Sequence, residues 1–134
     1  MKITLSKQKA KTWFQFSRYI RLRDCLLTTG TTTTGKCVSC LKITPFKQGH
    51  AGHFIPGRSG TNLFDELGVH FQCGVCNLWK KGNWAGYYEY MREHYGQDTI
   101  DELLKRNHQI KKYTVSELQE LEEKYKAKAK ELEG

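Results

Sequence analysis

Four cysteines stand as two Cys-x-x-Cys pairs, Cys37–Cys40 and Cys73–Cys76; between them lie His50, His53 and His70, and Asn77 directly follows the last cysteine. Four thiolates close a tetrahedral zinc shell and leave no position for substrate, so the pattern predicts a structural Zn²⁺ rather than a catalytic one. Binding it brings residue 40 next to residue 73 and fixes the segment between them as a hairpin. The histidines inside that hairpin ask for a second kind of chemistry. A neutral imidazole near pH 7 takes a proton from water, which then attacks phosphorus. A divalent cation on a non-bridging oxygen and on the leaving oxygen neutralises the charge that develops. Mg²⁺ keeps most of its waters, so an Asn side-chain oxygen plus one further group suffices to hold it. His53 stands out among the three histidines, since Asn77 opens a helix that the knuckle sets opposite the histidine strand.

Charge points the same way. The chain of 134 residues carries a formal net charge of +8, which favours a polyanionic partner such as nucleic acid over an acidic or apolar one. Residues 114–134 hold six glutamates and four lysines, so the excess lies elsewhere. Met1 to Arg23 holds seven Lys or Arg and no acid. A one-signed arm of this kind is the footprint of phosphate binding. No apolar run approaches the roughly 20 residues that span a bilayer, and the basic start lacks a continuous apolar stretch. A cytoplasmic, reducing setting is therefore expected, where paired Cys-x-x-Cys motifs bind metal rather than form disulfides. Cys25 is expected to be a plain thiol.

The elements that must position these groups follow from periodicity. A first helix is predicted over 7–24, with Trp13, Phe16 or Ser17, and Ile20 on one side and Phe14 and Leu22 widening the stripe. Lys11, Arg18 and Arg21 would lie on or beside the opposite face, free to meet a phosphate backbone. Leu26 to Lys36, rich in Thr and Gly, reads as a turn or hairpin tip. CVSC is a knuckle whose tight turn aims backbone amides at sulfur. Short strands are predicted over 41–46 and 49–55, a loop carrying Arg58 over 56–62, and a return strand over 63–71. A short helix over 77–81 bears Lys80 and Lys81 and stops at Gly82. Further helices are predicted over 84–95, over 98–107 with Asp98 as N-cap, and over 114–132, opened by a capping box of Thr114 and Glu117. Leu118, Leu121 and Tyr125 form a thin stripe on the last of these, suited to docking along an edge or to a dimer contact. Trp79, Trp84, Tyr87 and Tyr88 have helical spacing and are expected mostly in a core, although any left exposed would stack on unpaired bases.

The combination CxxC, GH and CxxCNxxK resembles the zinc-bearing branch of the HNH, or ββα-metal, nuclease superfamily. More closely, the chain from about Trp13 onward resembles the lambdoid phage NinG (Rap) family, through its AGH segment, its HxQCxxCN segment followed by Lys and GN, and a C-terminal helix opened by T-x-x-E. The resemblance implies an α+β fold: a zinc-stapled HNH-like ββα-metal core (25–96) between a basic N-terminal helix (1–24) and C-terminal helices (97–134). It implies a structure-selective endonuclease that cuts branched DNA, including Holliday junctions and D-loops, in phage recombination. His53 then matches the general base, Asn77 a ligand of the catalytic Mg²⁺ or Mn²⁺, and Cys37, Cys40, Cys73 and Cys76 the zinc ligands. Lys80 matches the Lys of CNxxK, as a phosphate contact or a solvated helix residue; Lys81, Arg58, Lys11, Arg18 and Arg21 are further candidates for DNA.

Two positions depart from the superfamily pattern. Gly52 stands where many HNH enzymes place a metal-binding Asp, and His50 is the candidate for the missing ligand, which would tilt preference toward Mn²⁺. Gly68 stands where an Asn orients the base; His70 either orients the base, supports the metal or is structural. Matching a two-fold junction calls for a two-fold protein, so a homodimer is expected. The competing readings are a non-catalytic zinc-ribbon DNA-binding module and a generic HNH nicking enzyme.

Overall fold

Gln8, Thr12, Phe16 and Ile20 recur at helical spacing and are all buried in α1 (Leu5–Thr29). The computed structural model describes residues 2–56, 60–107 and 109–134, so the candidate Arg58 lies outside the described residues. Helix α1 is N-capped by Thr4 and runs into the Thr-rich segment expected to be a turn. Thr28 and Thr29 return their hydroxyls to the carbonyls of Asp24 and Cys25, which lets β-branched residues close the helix. Phe14, expected to widen the apolar stripe, is instead 61 % exposed.

Two small antiparallel sheets follow. β1 (Thr34–Lys36) pairs with β2 (Ile43–Pro45), carrying the first Cys pair in the connection between them. A 3₁₀ turn, Phe46–Gln48, leads into β3 (Gly49–His53), which pairs with β4 (Val69–Cys73). The register sets His50 opposite Gln72, Gly52 opposite His70 and His53 opposite Val69. The end of α1 clamps the second hairpin. Asp24 Oδ2 accepts from the Phe71 amide at 2.8 Å, while Arg23 donates to the carbonyls of Glu66 and Val69. Cys25 is buried against this clamp.

The short helix expected over 77–81 is a π-helical turn, Val75–Trp79, closed by Lys80 N–H on the Val75 carbonyl. Helices α2 (Trp84–Tyr95), α3 (Gln97–Arg106) and α4 (Val115–Glu133) complete the chain. Asp98 lies in the first turn of α3 and Gly96 takes the N-cap position, so the expected cap is displaced by two residues. The Thr114–Glu117 capping box is formed. Val38, Phe54, Ile55, Tyr87, Met91, Ile100 and Leu103 make one apolar core under α2 and α3, and Phe16, Ile20, Ala51, Val69 and Tyr125 a second one under α1 and α4.

The stripe of α4 is used inside the chain. Leu118 and Tyr125 are buried, Tyr125 packs edge-on against Phe16, and Thr12 donates to the Leu118 carbonyl at 2.7 Å. Glu66 ties the same helix down by accepting from Tyr19, Tyr125 and Lys128. Of the two roles expected for the stripe, docking along an edge is the one observed within the chain. No helix among the described residues is long and apolar enough to cross a membrane.

Candidate functional site

The four cysteine sulfurs come together within 4.8 Å of one another, and Cys40 Sγ and Cys73 Sγ are 3.8 Å apart. A tetrahedron with Zn–S bonds of about 2.3 Å has an edge of about 3.8 Å, so the thiolate cage has the dimensions of a zinc shell. The knuckle geometry expected from CxxC is present. The amides of Cys40 and Cys76 each donate to the first sulfur of their pair at 3.5 Å. Asn83 adds a donor that the sequence did not single out, its Nδ2 lying 3.3 Å from Cys76 Sγ. Donors aimed at sulfur spread the charge that four thiolates bring to one ion. These four cysteines fit a structural metal such as zinc.

Beside this cluster a cavity of about 420 Å³ is lined by His50, His53 and Asn77, with Trp13, Ser17 and Arg21 of α1 on one wall and Lys81 on another. Trp13, Ser17 and Arg21 recur every four residues, one stripe of α1 turned toward β3, while Phe16 and Ile20 on the adjoining stripe fill the core. Arg21 therefore lies at the pocket and not on an opposite face. Its Nε donates to the carbonyl and hydroxyl of Ser17, and its guanidinium lies 4.5 Å over the Phe46 ring. Burial pulls its pKa below the ordinary arginine value, yet an arginine keeps its charge. No carboxylate lines the cavity among the described residues. Among the described residues the site is thus a cleft lined by cationic side chains and by no carboxylate.

The two histidines of the cleft each have a polar partner. His53 Nε2 lies 3.1 Å from the Leu63 carbonyl. A carbonyl only accepts, so Nε2 carries the proton, and in the neutral ring Nδ1 is the basic nitrogen. The ring is also stacked on Trp13, with centroids 5.1 Å apart and planes at 16°. His50 Nδ1 meets the Asn77 amide at 3.0 Å. Cis ligands on an octahedral ion with bonds of about 2.1 Å are about 3.0 Å apart, so an imidazole nitrogen and an amide oxygen at this spacing fit a small divalent cation. The amide turned over on its own axis would present that oxygen.

Gly52, the position where a carboxylate is missing, has no room for one. A Cβ there would fall 2.1 Å from Gln72 Oε1. Gln72 is fully buried, and its Nε2 donates to the carbonyl of Gly82 at 2.7 Å and to Ser39 Oγ at 2.9 Å, which fixes the amide orientation. Gln72 thereby links the hairpin to the first knuckle and to Gly82, which follows the π turn. Sequence reasoning missed it, because a Gln within an alternating strand carries no distinguishing signal.

His70 is not at the cavity. It is buried on the far side of β4, its Nδ1 3.2 Å from Tyr87 Oη and its Nε2 2.9 Å from Tyr95 Oη. Tyr87 donates to the Gly52 carbonyl at 2.7 Å, so its oxygen accepts from His70 Nδ1–H and Tyr95 donates to Nε2. Burial pushes His70 down to about 4, which keeps it neutral as this chain of bonds requires. The His53 ring is held by the Leu63 carbonyl and the stacked Trp13 rather than by His70. Arg18 pairs with Glu133 and is not at the cavity. Lys11 lines a separate surface cleft with Lys2 and Gln8. Lys80 faces the opposite side of the π turn from Lys81, among Ile43, Thr44 and Val75.

The family model for the bacteriophage lambda NinG protein matches residues 4–134. The proteins named ninG of Escherichia phage 933W and Escherichia phage lambda are 37 % and 34 % identical over 97 residues, as is that of Salmonella phage P22 at 34 %. Each alignment covers 72 % of this chain and 47 % of the relative, so the chain spans about half the length of these relatives. No solved structure matches the chain.

Proposed function

We propose, from the premise that this chain belongs to the bacteriophage lambda NinG family, that it is a metal-dependent endonuclease of the HNH type that hydrolyses phosphodiesters in branched DNA. One observation carries the reading: His53, His50 and Asn77 meet in a cation-walled cleft that has no carboxylate of its own among the described residues. The β3–β4 hairpin, followed by a helical turn bearing Asn77 and held by a thiolate cage, supports the assignment to the ββα-metal class. Branch selectivity is what resemblance to the phage recombination nucleases implies.

In this mechanism Arg21 and Lys81 bind the scissile phosphate, where fixed charge in a partly desolvated cleft is worth more than in water. His50 Nδ1 and Asn77 Oδ1 would hold the divalent cation. When bound, that cation supplies Lewis-acid charge neutralisation at the phosphoryl and leaving oxygens. His53, with Nε2–H held by Leu63, takes a proton from water at Nδ1. The water oxygen forms a bond to phosphorus, the bond from phosphorus to the 3′-oxygen breaks with its electron pair leaving on that oxygen, and the oxygen takes a proton from solvent. Trp13 keeps the imidazole plane from rotating out of line.

The test is incubation of the zinc-loaded protein with a four-way junction, a D-loop mimic and linear duplex, under Mg²⁺, Mn²⁺ or no added cation. Cation-dependent cutting of the branched substrates by the wild type, lost in His53→Ala with binding retained, is the expected result. Intact junctions under every cation, with normal binding, would leave a DNA-binding module without catalysis. Equal cutting of linear duplex would leave a general nicking enzyme.

A further inference from the structure

Trp79 is 83 % exposed, an extreme value for so large an apolar side chain, and Val75 and Leu78 on the same π-helical turn are exposed as well. Helical spacing placed Trp79 with the expected core; the π turn overrides that, because its wider winding sends Cys76 to the thiolate cage and Asn77 to the cleft and leaves the remaining three outward. The turn separates two clefts that each carry lysine. Asn77 and Lys81 line the cleft that holds His50 and His53. On the other side, Ile43 and Val75 line a groove of about 390 Å³ together with Lys42, Lys80 and the cage residues Cys40, Cys73 and Cys76.

No acidic residue occurs between residues 25 and 64, or between 67 and 88. The two acids in the interval are engaged elsewhere, Asp65 with Arg106 and Glu66 with Tyr19, Tyr125 and Lys128. A flat, exposed indole beside Lys80 and Lys81, which no carboxylate pairs among the described residues, complements a partner that is at once anionic and open-faced. Duplex DNA buries its base faces in the stack, whereas unpaired nucleotides present both phosphate and a π face.

We infer that Trp79 is a stacking platform for an unpaired base next to the scissile phosphate, with Lys80 and Lys81 on the flanking phosphates. The position of that phosphate rests on the nuclease reading; the stacking itself does not. Trp79 would then be the residue through which this chain distinguishes a branch or single-stranded flap from continuous duplex, since its ring finds a partner in the first and none in the second.

The experiment is fluorescence anisotropy with zinc-loaded protein and no added divalent cation, on a forked duplex with single-stranded arms and on a blunt duplex of equal length. A 2-aminopurine placed at the fork reports stacking directly. The fork should bind more tightly than the duplex, and Trp79→Ala should weaken fork binding by about tenfold while changing duplex binding less than about twofold. Trp79→Phe should restore most of the fork affinity and of the 2-aminopurine quenching. An unchanged fork affinity in Trp79→Ala, or an equal loss on both substrates with a wild-type melting curve, overturns the inference. A wild-type dimer that becomes monomeric in Trp79→Ala would assign the patch to a second copy and overturn it too. Cleavage is scored separately with Mg²⁺ or Mn²⁺: fork binding through Trp79 without cutting leaves stacking in place and removes the nuclease reading, and cutting that is indifferent to Trp79 does the reverse.

Discussion

His53 and Leu63 are joined side chain to main chain, Nε2 to carbonyl oxygen at 3.1 Å, and this single bond decides which nitrogen of the imidazole is the base. His53→Gln retains an N–H in nearly the same place for Leu63 and cannot take up a proton. It is expected to fold with a wild-type melting curve, to bind junction DNA, and to lose cleavage by roughly 10²–10⁴-fold, the usual worth of a general base. Single-turnover cleavage beside a circular-dichroism melt checks it; a variant that cuts at the wild-type rate would remove His53 from the mechanism.

The thiolate cage predicts one tightly held zinc per chain. Cys73→Ser leaves three thiolates where four belong, and a metal absent from the unfolded chain stabilises the fold by its binding energy. The variant should contain less zinc by elemental analysis and melt on the order of 10 °C lower, since a domain of this size shifts a few degrees for each kcal/mol. Asn83→Ala, which removes one donor to Cys76 Sγ, should keep its zinc and lose about 1 kcal/mol. Equal melting of Cys73→Ser and wild type would rule out a structural metal.

Gly52 and Gln72 should behave as one unit. A methyl group at 52 meets Gln72 Oε1 and forces the amide off Gly82 and Ser39. Gly52→Ala alone should cost about 2–3 kcal/mol by overpacking and broken buried bonds. In Gly52→Ala with Gln72→Ala the two losses should add to clearly less than their sum, the sign of direct contact. Urea denaturation of the four proteins reads this; strict additivity would mean that the two side chains do not compete for space.

His70 sets a pH dependence of stability. Its pKa is lowered from 6.5 to about 4 in the folded chain by burial. Between those values the unfolded chain takes a proton that the folded chain refuses, so this contribution is complete above 6.5 and is lost as pH falls toward 4. The full loss is on the order of 3 kcal/mol. Melting temperature should therefore fall between pH 6.5 and 5, above the carboxylate range, and His70→Gln should be less stable at pH 7.5 yet flat across that window. A wild-type curve that is flat there would contradict the neutral Tyr95–His70–Tyr87–Gly52 relay.

Residue type and spacing alone determined the metal cage, the capping box at Thr114 and the pairing of the His53 and Asn77 segments, because each depends on short-range pattern: a knuckle is four residues, a cap is four, and a hairpin is closed by its own ligands. The separation of α1 into a cleft stripe and a core stripe was half legible. Periodicity gave the helix, but which cation meets the cleft depended on α4, which takes Arg18 through Glu133 and leaves Arg21 beside Ser17 at the cleft. What only tertiary structure decided involves partners with no residue-type signature or far away in the chain. One group that holds His53 is a main-chain carbonyl, a partner that every residue can supply. His70 lies one strand from the cleft, yet the alternation of β4 turns it to the opposite side, onto tyrosines 17 and 25 residues further along. Trp79 has the spacing of a core residue and is exposed, because the demands of Cys76 on one side and Asn77 on the other wind the turn as a π helix. Local chemistry fixed which atoms are available here; the long-range packing of α1, α4 and the two tyrosines fixed where they point.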